Sequence, residues 1–257
     1  MITDVNVNLS RWPFRRTPCD ELPKLIERLK RCDVAQAWAG SLDGLLHRDI
    51  GGVNARLARE CAEAGANILV PFGSVNPTLP DWRDDIRRCH EDYRMPGIRL
   101  HPNYHGYKLD DPLFAELIAA AAERGLLVQL AVRMDDTRVQ HPLMPVPDVE
   151  LKPLAEIVAK WPKLRLVVLN STRALAMPAA AALSKAGDVS FEIAMWEGVG
   201  GIENLIEAVS VERVLFGSHF PLFNLESAVL KLRESVLTDT QLAAITRENA
   251  RRLLQAG

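Results

Sequence analysis

Histidines stand at the ends of apolar runs in this sequence, where they could do acid–base chemistry. Five of the six histidines follow such runs, and the clearest case is Val214–Phe223, in which the apolar residues stop at Gly217-Ser218-His219. An imidazole with an ordinary pKa of ~6.5 can take or give a proton near neutral pH. We therefore expect His219 and His101 to be catalytic. The alternative for His219 is a buried imidazole that only hydrogen-bonds a neighbouring loop.

Other polar residues near the same strand ends could bind a substrate. Arg99 and His101 are two residues apart, so they share one face of a strand, and Arg99 could hold a substrate carboxylate through two N–H groups. The alternative for Arg99 is an ion pair with an interior acid such as Glu192. Three amide side chains could hold a substrate oxygen or satisfy one another, since buried polar groups must be paired; they belong to Asn6, Asn8 and Asn170.

The segment 11–16 combines three guanidinium groups with two aromatic rings directly after the first strand-like run. We expect Arg11 and Trp12 to contact an anionic or planar substrate. Arginine and tryptophan are also common anchors of protein interfaces, so a second subunit is an equally good partner for this segment. On that alternative the protein forms a homodimer.

Strand-like runs alternate with helical patterns along the chain. Strands are expected at Ile2–Leu9, Val34–Gly40, Asn67–Phe72, Gly97–His101, Leu126–Val132, Leu164–Asn170, Val189–Trp196 and Arg213–Gly217. Helices are expected at Pro23–Cys32, Asn54–Ala64, Pro80–Tyr93, Pro112–Arg124, Val149–Lys160, Leu175–Lys185, Ile202–Ala208, Leu225–Ser235 and Asp239–Gln255. Such alternation is typical of a parallel sheet.

Eight strand–helix units in 257 residues predict an α/β fold, a single (β/α)8 TIM barrel that forms one domain over residues 1–257. A doubly wound open sheet is the alternative, but no G-x-G-x-x-G turn follows the first strand. In a barrel the active site lies at the carboxyl ends of the strands. The candidate residues named above all fall at that end.

Charge and cysteine content limit the partners and the compartment. The net charge of −2 argues against a nucleic-acid surface, which is normally basic. No apolar stretch is long enough to span a bilayer, and the first residues do not have the pattern of a signal peptide. The four cysteines form no C-x-x-C pair. We therefore expect a cytoplasmic protein that binds neither nucleic acid nor membranes.

Several short motifs resemble those of the amidohydrolase-related TIM-barrel family of metal-dependent hydrolases. The stretch Phe216–Pro221 (FGSHFP) is similar to the family's last-strand motif F-G-S-D-[YF]-P, and Gly97–Pro102 (GIRLHP) is similar to G-[IV]-[KR]-L-H-P. Shorter likenesses are found at Gly125–Ala131, Leu164–Asn170 and Ile245–Leu254. Together they keep the family's order over nearly the whole chain. The resemblance implies a barrel of the metallo-dependent hydrolase type.

The sequence departs from this family where the family binds its metal. The family uses an H-x-H pair on strand one, histidines after strands five and six, and an aspartate on strand eight. The corresponding residues here are Asn6 and Asn8, Ala131, Asn170 and His219. Zinc prefers imidazole, thiolate or carboxylate ligands, whereas a carboxamide is a neutral and weak donor. We therefore expect no metal ligands and no cofactor, the family's zinc or other divalent ion having been lost.

The resemblance implies a hydrolase that acts on a small organic acid, lactone or amide, with a substrate that is anionic. Without a metal, His219 would activate water and Arg99 would anchor the anionic group. A reactive ester or lactone suits this chemistry best, because an amide needs stronger activation than one histidine offers. Two alternatives stay open. One is a catalytically inactive binding or partner protein, and the other is a metal-dependent hydrolase whose site is rebuilt from His101, His105, His141 and His219.

Overall fold

The computed structural model describes residues 1–65 and 67–255, and it places eight parallel strands in one sheet whose order follows the chain. The strands are β1 (Ile2–Leu9), β2 (Val34–Ser41), β3 (Leu69–Ser74), β4 (Gly97–Leu100), β5 (Leu127–Ala131), β6 (Arg165–Leu169), β7 (Asp188–Glu192) and β8 (Val214–Leu215). Each strand pairs with the next one along the chain, which is the arrangement of a (β/α)8 barrel.

Helices connect the strands and form the outer layer. They are α1 (Leu22–Arg31), α2 (Ile50–Glu63), α3 (Trp82–Glu91), α4 (Pro102–His105), α5 (Pro112–Glu123), α6 (Leu154–Lys160), α7 (Arg173–Ala186), α8 (Gly201–Val209), α9 (Leu225–Glu234), α10 (Asp239–Ala243) and α11 (Asn249–Gln255). A π-helical segment, Ala244–Glu248, joins the last two. Within the described residues, no helix is long and apolar enough to cross a membrane.

Helix α5 shows how local sequence sets these boundaries. The side chain of Asp111 accepts a hydrogen bond from the backbone N–H of Leu113 at 3.2 Å, and Pro112 occupies the first turn, where no N–H is needed. Gly125 follows the helix with a φ of 65°, a left-handed conformation that glycine adopts at little cost. The chain then turns directly into β5, which lies parallel to β4, so the carboxyl ends of these two strands face the same way.

The barrel closes between its last and first strands, which confirms the fold predicted from the sequence. The backbone N–H of Val5 donates to the carbonyl oxygen of Phe216 at 3.0 Å, and that of Asn8 donates to Phe220 at 2.8 Å. A parallel bridge between Val7 and Phe220 lies between these two contacts. Closure removes the open strand edges that an unclosed sheet would leave unpaired.

Apolar side chains form two cores, one on each side of the sheet. The outer core packs between the strands and the helices and includes Ile98, Val128 and Val168. The inner core fills the barrel and includes Trp38 and Phe72, whose rings stack with centroids 5.0 Å apart. Because the inner core is packed, the barrel is a solid support that positions polar side chains at its carboxyl end.

Several element boundaries differ from the sequence prediction, and at three of them a hydrogen bond of the backbone accounts for the difference. Strand β8 stops at Leu215, since the N–H of Phe216 donates to the carbonyl oxygen of Ile245 at 3.0 Å. Strand β7 ends at Glu192, whose side chain accepts the N–H of Ala194. The helix expected from residue 149 begins at residue 154 instead, and the backbone N–H at position 149 donates to the carbonyl oxygen at position 132.

Candidate active site

The structure gathers most of the predicted site residues inside the barrel, at the carboxyl ends of the strands. Asn6, Asn8, Arg99, Asn170 and His219 are each no more than 2% exposed, and hydrogen bonds connect them in two groups. Asn170 and His219 both have a φ of 57°. A left-handed backbone is uncommon for residues other than glycine and costs about 1–3 kcal/mol. Packing must therefore hold these two strand ends in place.

The imidazole of His219 is held by contacts on both of its nitrogen atoms. Nε2 lies 2.8 Å from the carbonyl oxygen of Met134, which can only accept, so Nε2 carries the proton. Nδ1 then has the lone pair and faces the amide nitrogen of Asn8 at 3.3 Å. Burial lowers the pKa of His219 to about 4, although the hydrogen bond to Met134 opposes this shift. The ring is therefore neutral at neutral pH.

His101 is a second neutral imidazole, and it has a free nitrogen atom. Its Nδ1 is buried without a hydrogen-bond partner in the described residues. Burial lowers the pKa of His101 well below its ordinary value, and the charge of Arg99, together with any protonation of His105 or His219, lowers it further. The His105 ring lies edge-on at 6.1 Å, and its Nε2 contacts the carbonyl oxygen of Gly44 at 2.8 Å. His101 can therefore accept a proton or a hydrogen bond from a ligand.

The side-chain amide of Asn6 bonds to that of Asn170 and to a buried acid. The side-chain nitrogen of Asn6 donates to Oδ1 of Asn170 at 2.6 Å and lies 3.3 Å from Oε1 of Glu192. Burial raises the pKa of Glu192, and the backbone N–H groups of Asn170 and Ala194 oppose that rise. Oδ1 of Asn6 has no partner among the described residues. The amides thus satisfy one another while leaving one acceptor for a ligand.

Arg99 lies within the barrel and donates all of its N–H groups to the protein. Nε donates to Gln129 at 2.8 Å, and the two terminal nitrogens donate to Oδ1 of Asn8 and to the backbone carbonyl oxygens of residues 5, 7 and 38. A guanidinium has five N–H groups, and these five contacts account for them. Every N–H group of Arg99 therefore has an acceptor without the predicted substrate carboxylate and without the alternative ion pair with Glu192. A substrate carboxylate can reach Arg99 only by displacing one of these acceptors.

The segment 11–16 lies over the barrel mouth. Arg11 is exposed, whereas Trp12 is 3% exposed and packs with the inner core. The Trp12 ring meets Tyr104 edge-on at 6.4 Å, and its Nε1 has no partner in the described part of the chain. Phe14 stacks on His141 at 6.1 Å. Trp12 is thus placed to contact a ligand that enters the mouth, while His141 lies at the rim.

Two groups of this site escaped the sequence prediction. The carbonyl oxygen of Met134 orients His219, but a backbone atom leaves no signal in the residue type. Asp4 accepts hydrogen bonds from the backbone N–H groups of Asn6 and Ser218 at 3.0 and 3.1 Å. Burial raises the pKa of this carboxyl to about 7. Its position two residues before Asn6 on one strand could have indicated it, because alternate residues share a strand face.

The residues at the family's metal-binding positions do not form a set that fits a divalent ion. Ala131 has no donor atom, the amide nitrogen of Asn6 is engaged with Asn170 and Glu192, and Oδ1 of Asn170 already accepts from Asn6. The protonated Nε2 of His219 donates to a carbonyl oxygen, so only Nδ1 could act as a ligand. Within residues 1–65 and 67–255, no group of three or more His, Cys, Asp or Glu side chains is arranged to hold a metal ion.

Comparison with known proteins gives a family match and a set of structures with the same fold. The family model described as "Amidohydrolase" matches residues 20–256. Among curated proteins, no sequence matches this chain. The structure of 5-carboxyvanillate decarboxylase from Sphingomonas paucimobilis is similar with a TM-score of 0.79 at 14% identity, and 99% of this chain and 98% of that one are covered.

Two further structures resemble the chain over nearly their full lengths. A putative amidohydrolase from Staphylococcus aureus has a TM-score of 0.77 at 16% identity, with 99% of both chains covered. A dihydroxybenzoic acid decarboxylase from a Polaromonas species, solved with manganese and 2-nitroresorcinol, has a TM-score of 0.74 at 11% identity, with 99% of this chain and 96% of that one covered. These likenesses show the fold, and the family match over residues 20–256 shows that the chain belongs to the amidohydrolase family.

Proposed function

We propose that this chain is an enzyme that acts on a small organic acid and that it hydrolyses a reactive ester or lactone without a metal ion. The observation that carries this proposal is the pair of neutral imidazoles, His219 and His101, buried after β8 and β4 beside the amides of the barrel mouth. Catalytic groups of this fold lie at this end of the strands. A buried histidine without a full set of partners is unusual unless a ligand completes it.

Structures with the same fold support a small organic acid as the substrate. Two of them are decarboxylases named for carboxyvanillate and for dihydroxybenzoic acid, and the second holds 2-nitroresorcinol as an inhibitor. These compounds are single aromatic rings that carry acidic groups. The aromatic side chains of Trp12 and Tyr104 at the mouth of this barrel suit a ligand of that kind.

In the proposed reaction, His219 takes a proton from water at Nδ1 while the water oxygen adds to the substrate carbonyl carbon. The Asn8 amide, which faces Nδ1 in the free protein, turns to donate to the carbonyl oxygen as negative charge develops there. The acyl carbon–oxygen bond then breaks, and the proton on Nδ1 passes to the departing oxygen. His101 and Oδ1 of Asn6 hold the other polar groups of the substrate.

The basicity of His219 limits the substrates that this mechanism can use. With a pKa of about 4, His219 is unprotonated at neutral pH but is a weak base. A weak base assists the attack of water only when the carbonyl is reactive and the departing oxygen is a stable anion. Lactones and esters of phenols or enols meet this condition, whereas amides do not.

Metal independence is part of this proposal. The resident family metal would need at least three good donors, and the positions that supply them are occupied by Asn6, Asn8, Ala131 and Asn170. Oδ1 of Asn8 and Oδ1 of Asn170 already accept hydrogen bonds, and the neutral Oδ1 of Asn6 alone adds little affinity for zinc or manganese. The chain's own residues therefore carry the acid–base chemistry proposed here.

The test is a panel of aryl esters, aromatic lactones and aromatic acids, assayed with the wild-type protein and with His219→Ala. We expect hydrolysis of at least one lactone or ester, with a loss of about 100-fold or more in kcat/KM for His219→Ala, which is the usual size of general acid–base catalysis. His141→Ala is the matched control, because this histidine lies at the rim, and it should retain wild-type activity. Absence of turnover over the whole panel would favour the catalytically inactive binding protein.

Decarboxylation of a hydroxybenzoate is a second candidate, and the decarboxylases that share this fold favour it. The same panel separates the two reactions by their products. Hydrolysis releases a hydroxyl compound and an acid, whereas decarboxylation releases carbon dioxide and a ring that has gained a proton. A product mixture that contains only carbon dioxide and phenols would replace the hydrolase proposal.

A further inference from the structure

An ion pair joins the two loops that meet over the barrel mouth. Nη1 of Arg15, in the loop after β1, donates to Oδ2 of Asp135, in the loop after β5, at 2.8 Å. The Arg15 side chain is 42% exposed, whereas that of Asp135 is 5% exposed. The residue before Asp135 is Met134, whose carbonyl oxygen accepts the Nε2 proton of His219. The paired carboxylate therefore lies one residue away from the contact that orients His219.

Within the described residues, two arginines of the segment 11–16 keep unused donors: Arg11, which is exposed, and Arg15, which is bonded to the loop after β5. The other arginines nearby each give two or more N–H groups to their partners; they are Arg16 with Asp20, Arg133 with Asp148, Arg138 with Asp136, and Arg99 within the barrel. Arg15 gives Asp135 one N–H group, and in the described part of the chain its guanidinium has no other acceptor. A guanidinium can hold a carboxylate through two parallel hydrogen bonds, so Arg15 has capacity for a better partner.

We infer that Asp135 occupies the place of a substrate carboxylate on Arg15, and that a small aromatic carboxylic acid binds by displacing Asp135 from this guanidinium. The inference rests on the proposed function, since it names the anchor and the substrate class for the same site. It assigns to Arg15 the anchoring role that the sequence suggested for Arg99. Arg15 can perform this role because its remaining N–H groups are free, whereas those of Arg99 are engaged.

The surroundings of the pair define the rest of the ligand. Trp12 contacts Phe14 edge-on at 5.5 Å and Tyr104 at 6.4 Å, so the mouth beside Arg15 is lined by aromatic rings. Trp12 also presents an N–H group that is buried without a partner in the described residues. Asp135, which accepts from Arg15, directly follows Met134, whose carbonyl oxygen accepts the Nε2 proton of His219, so the pair lies beside the loop that holds this ring. An aromatic surface, an N–H donor and a cation are the groups that would recognise a flat ring with one carboxylate.

The test is isothermal calorimetry with benzoate as the probe and benzamide as its uncharged counterpart. Wild-type protein should bind benzoate and not benzamide. Arg15→Gln should weaken benzoate binding about tenfold or more, as expected for a lost charge-assisted pair. Asp135→Asn should tighten benzoate binding about threefold or more, because the competing carboxylate is gone. Arg16→Gln is the matched control, and its benzoate affinity should equal that of the wild type.

Arg15→Lys is a milder variant for the case that Arg15→Gln does not fold. Lysine keeps the positive charge but lacks the planar guanidinium that makes two parallel hydrogen bonds. We therefore expect Arg15→Lys to bind benzoate with an affinity between those of the wild type and Arg15→Gln. Equal benzoate affinity in Arg15→Gln and wild type would overturn the inference, and so would a lack of benzoate binding in both wild type and Asp135→Asn. Calorimetry does not depend on turnover. Benzoate binding that follows this pattern, in a protein that hydrolyses nothing, would uphold the anchor and reject the proposed hydrolysis.

Discussion

The amide nitrogen of Asn8 lies 3.3 Å from Nδ1 of His219, and Oδ1 of the same amide accepts a hydrogen bond from Arg99 at 2.9 Å. Because the guanidinium can only donate, the Asn8 oxygen must face Arg99 and the Asn8 nitrogen must face His219. Asn8 thereby fixes the tautomer of His219, with the lone pair on Nδ1 and the proton on Nε2. Arg99 thus sets the orientation of the His219 ring through the side-chain amide of Asn8.

The pH dependence of activity should reflect the low pKa of His219. A base that is unprotonated in the active form loses activity as the pH falls through its pKa, so the acidic limb of kcat/KM should lie near pH 4. Asn8→Asp places a carboxylate beside Nδ1, which favours the protonated ring, and should move this limb to higher pH. The pH–rate profile and an NMR titration of the imidazole both report this shift. A wild-type acidic limb near the ordinary pKa of ~6.5 would contradict a lowered pKa for His219 as the catalytic base.

Arg99 should contribute to stability more than to substrate binding. Arg99→Met leaves Gln129 and several carbonyl oxygens buried without donors, so we expect the free energy of unfolding to fall by about 3–5 kcal/mol. Arg99→Lys keeps the charge but cannot reach all five acceptors, and it should lie between Arg99→Met and the wild type. Urea denaturation measures both. A variant that unfolds like the wild type but loses ligand affinity would show that Arg99 is a substrate anchor.

Asp4 should make stability fall as the pH rises. Its pKa is about 7 in the folded protein against 3.8 ordinarily, so folding favours the protonated form. This contribution is complete below the unfolded pKa and is lost as the pH rises through the folded value. Asp4→Asn stays neutral at every pH and can still accept the N–H groups of Asn6 and Ser218. The wild type should therefore lose stability relative to Asp4→Asn as the pH rises from about 4 to about 7.

Urea denaturation of both proteins across this pH range measures the difference directly. The contribution of His219 has the opposite sign: it is complete above the unfolded pKa of ~6.5 and is lost as the pH falls through about 4. Because both proteins contain His219, its effect cancels in the comparison. A difference in the free energy of unfolding that is constant with pH would mean that Asp4 does not change its charge in this range.

Restoring the family's ligands should restore metal binding. The variant with Asn6→His, Asn8→His, Ala131→His, Asn170→His and His219→Asp supplies imidazole and carboxylate donors at all five positions, which are the ligands that zinc prefers. We expect it to bind zinc with about one ion per chain or more, measured by elemental analysis after dialysis. The wild type treated identically is the control. Failure of a folded variant to bind zinc would show that backbone geometry, and not ligand type, prevents binding.

The barrel could be predicted from the sequence because its signals are local. Apolar runs recur in every unit, and the cap at Asp111 and the glycine at position 125 mark the two ends of helix α5. The limits of β8 could not be predicted, because they depend on Phe216 bonding to Ile245 from the closing helix region. Periodicity within a run does not reveal a partner that is thirty residues away.

The proximity of the candidate site residues could be predicted from the sequence, but their contacts could not. Asn6, Asn8, Asn170 and His219 were placed together correctly, since the carboxyl ends of barrel strands converge. The sequence could not predict that every N–H group of Arg99 has an acceptor within the protein. Most of these acceptors are backbone carbonyl oxygens, which every residue has. For the same reason, residue types alone could not show which arginine has free donors.

Metal content and turnover, measured on the same untagged protein, test the central claim most directly. The protein would be purified without chelator, offered zinc and manganese, dialysed, and then analysed for bound metal and for hydrolysis of the lactone and ester panel. We predict far less than one metal ion per chain, and turnover that a chelator leaves unchanged. Near-stoichiometric metal, with activity that disappears on chelation and returns with the ion, would contradict a metal-independent site.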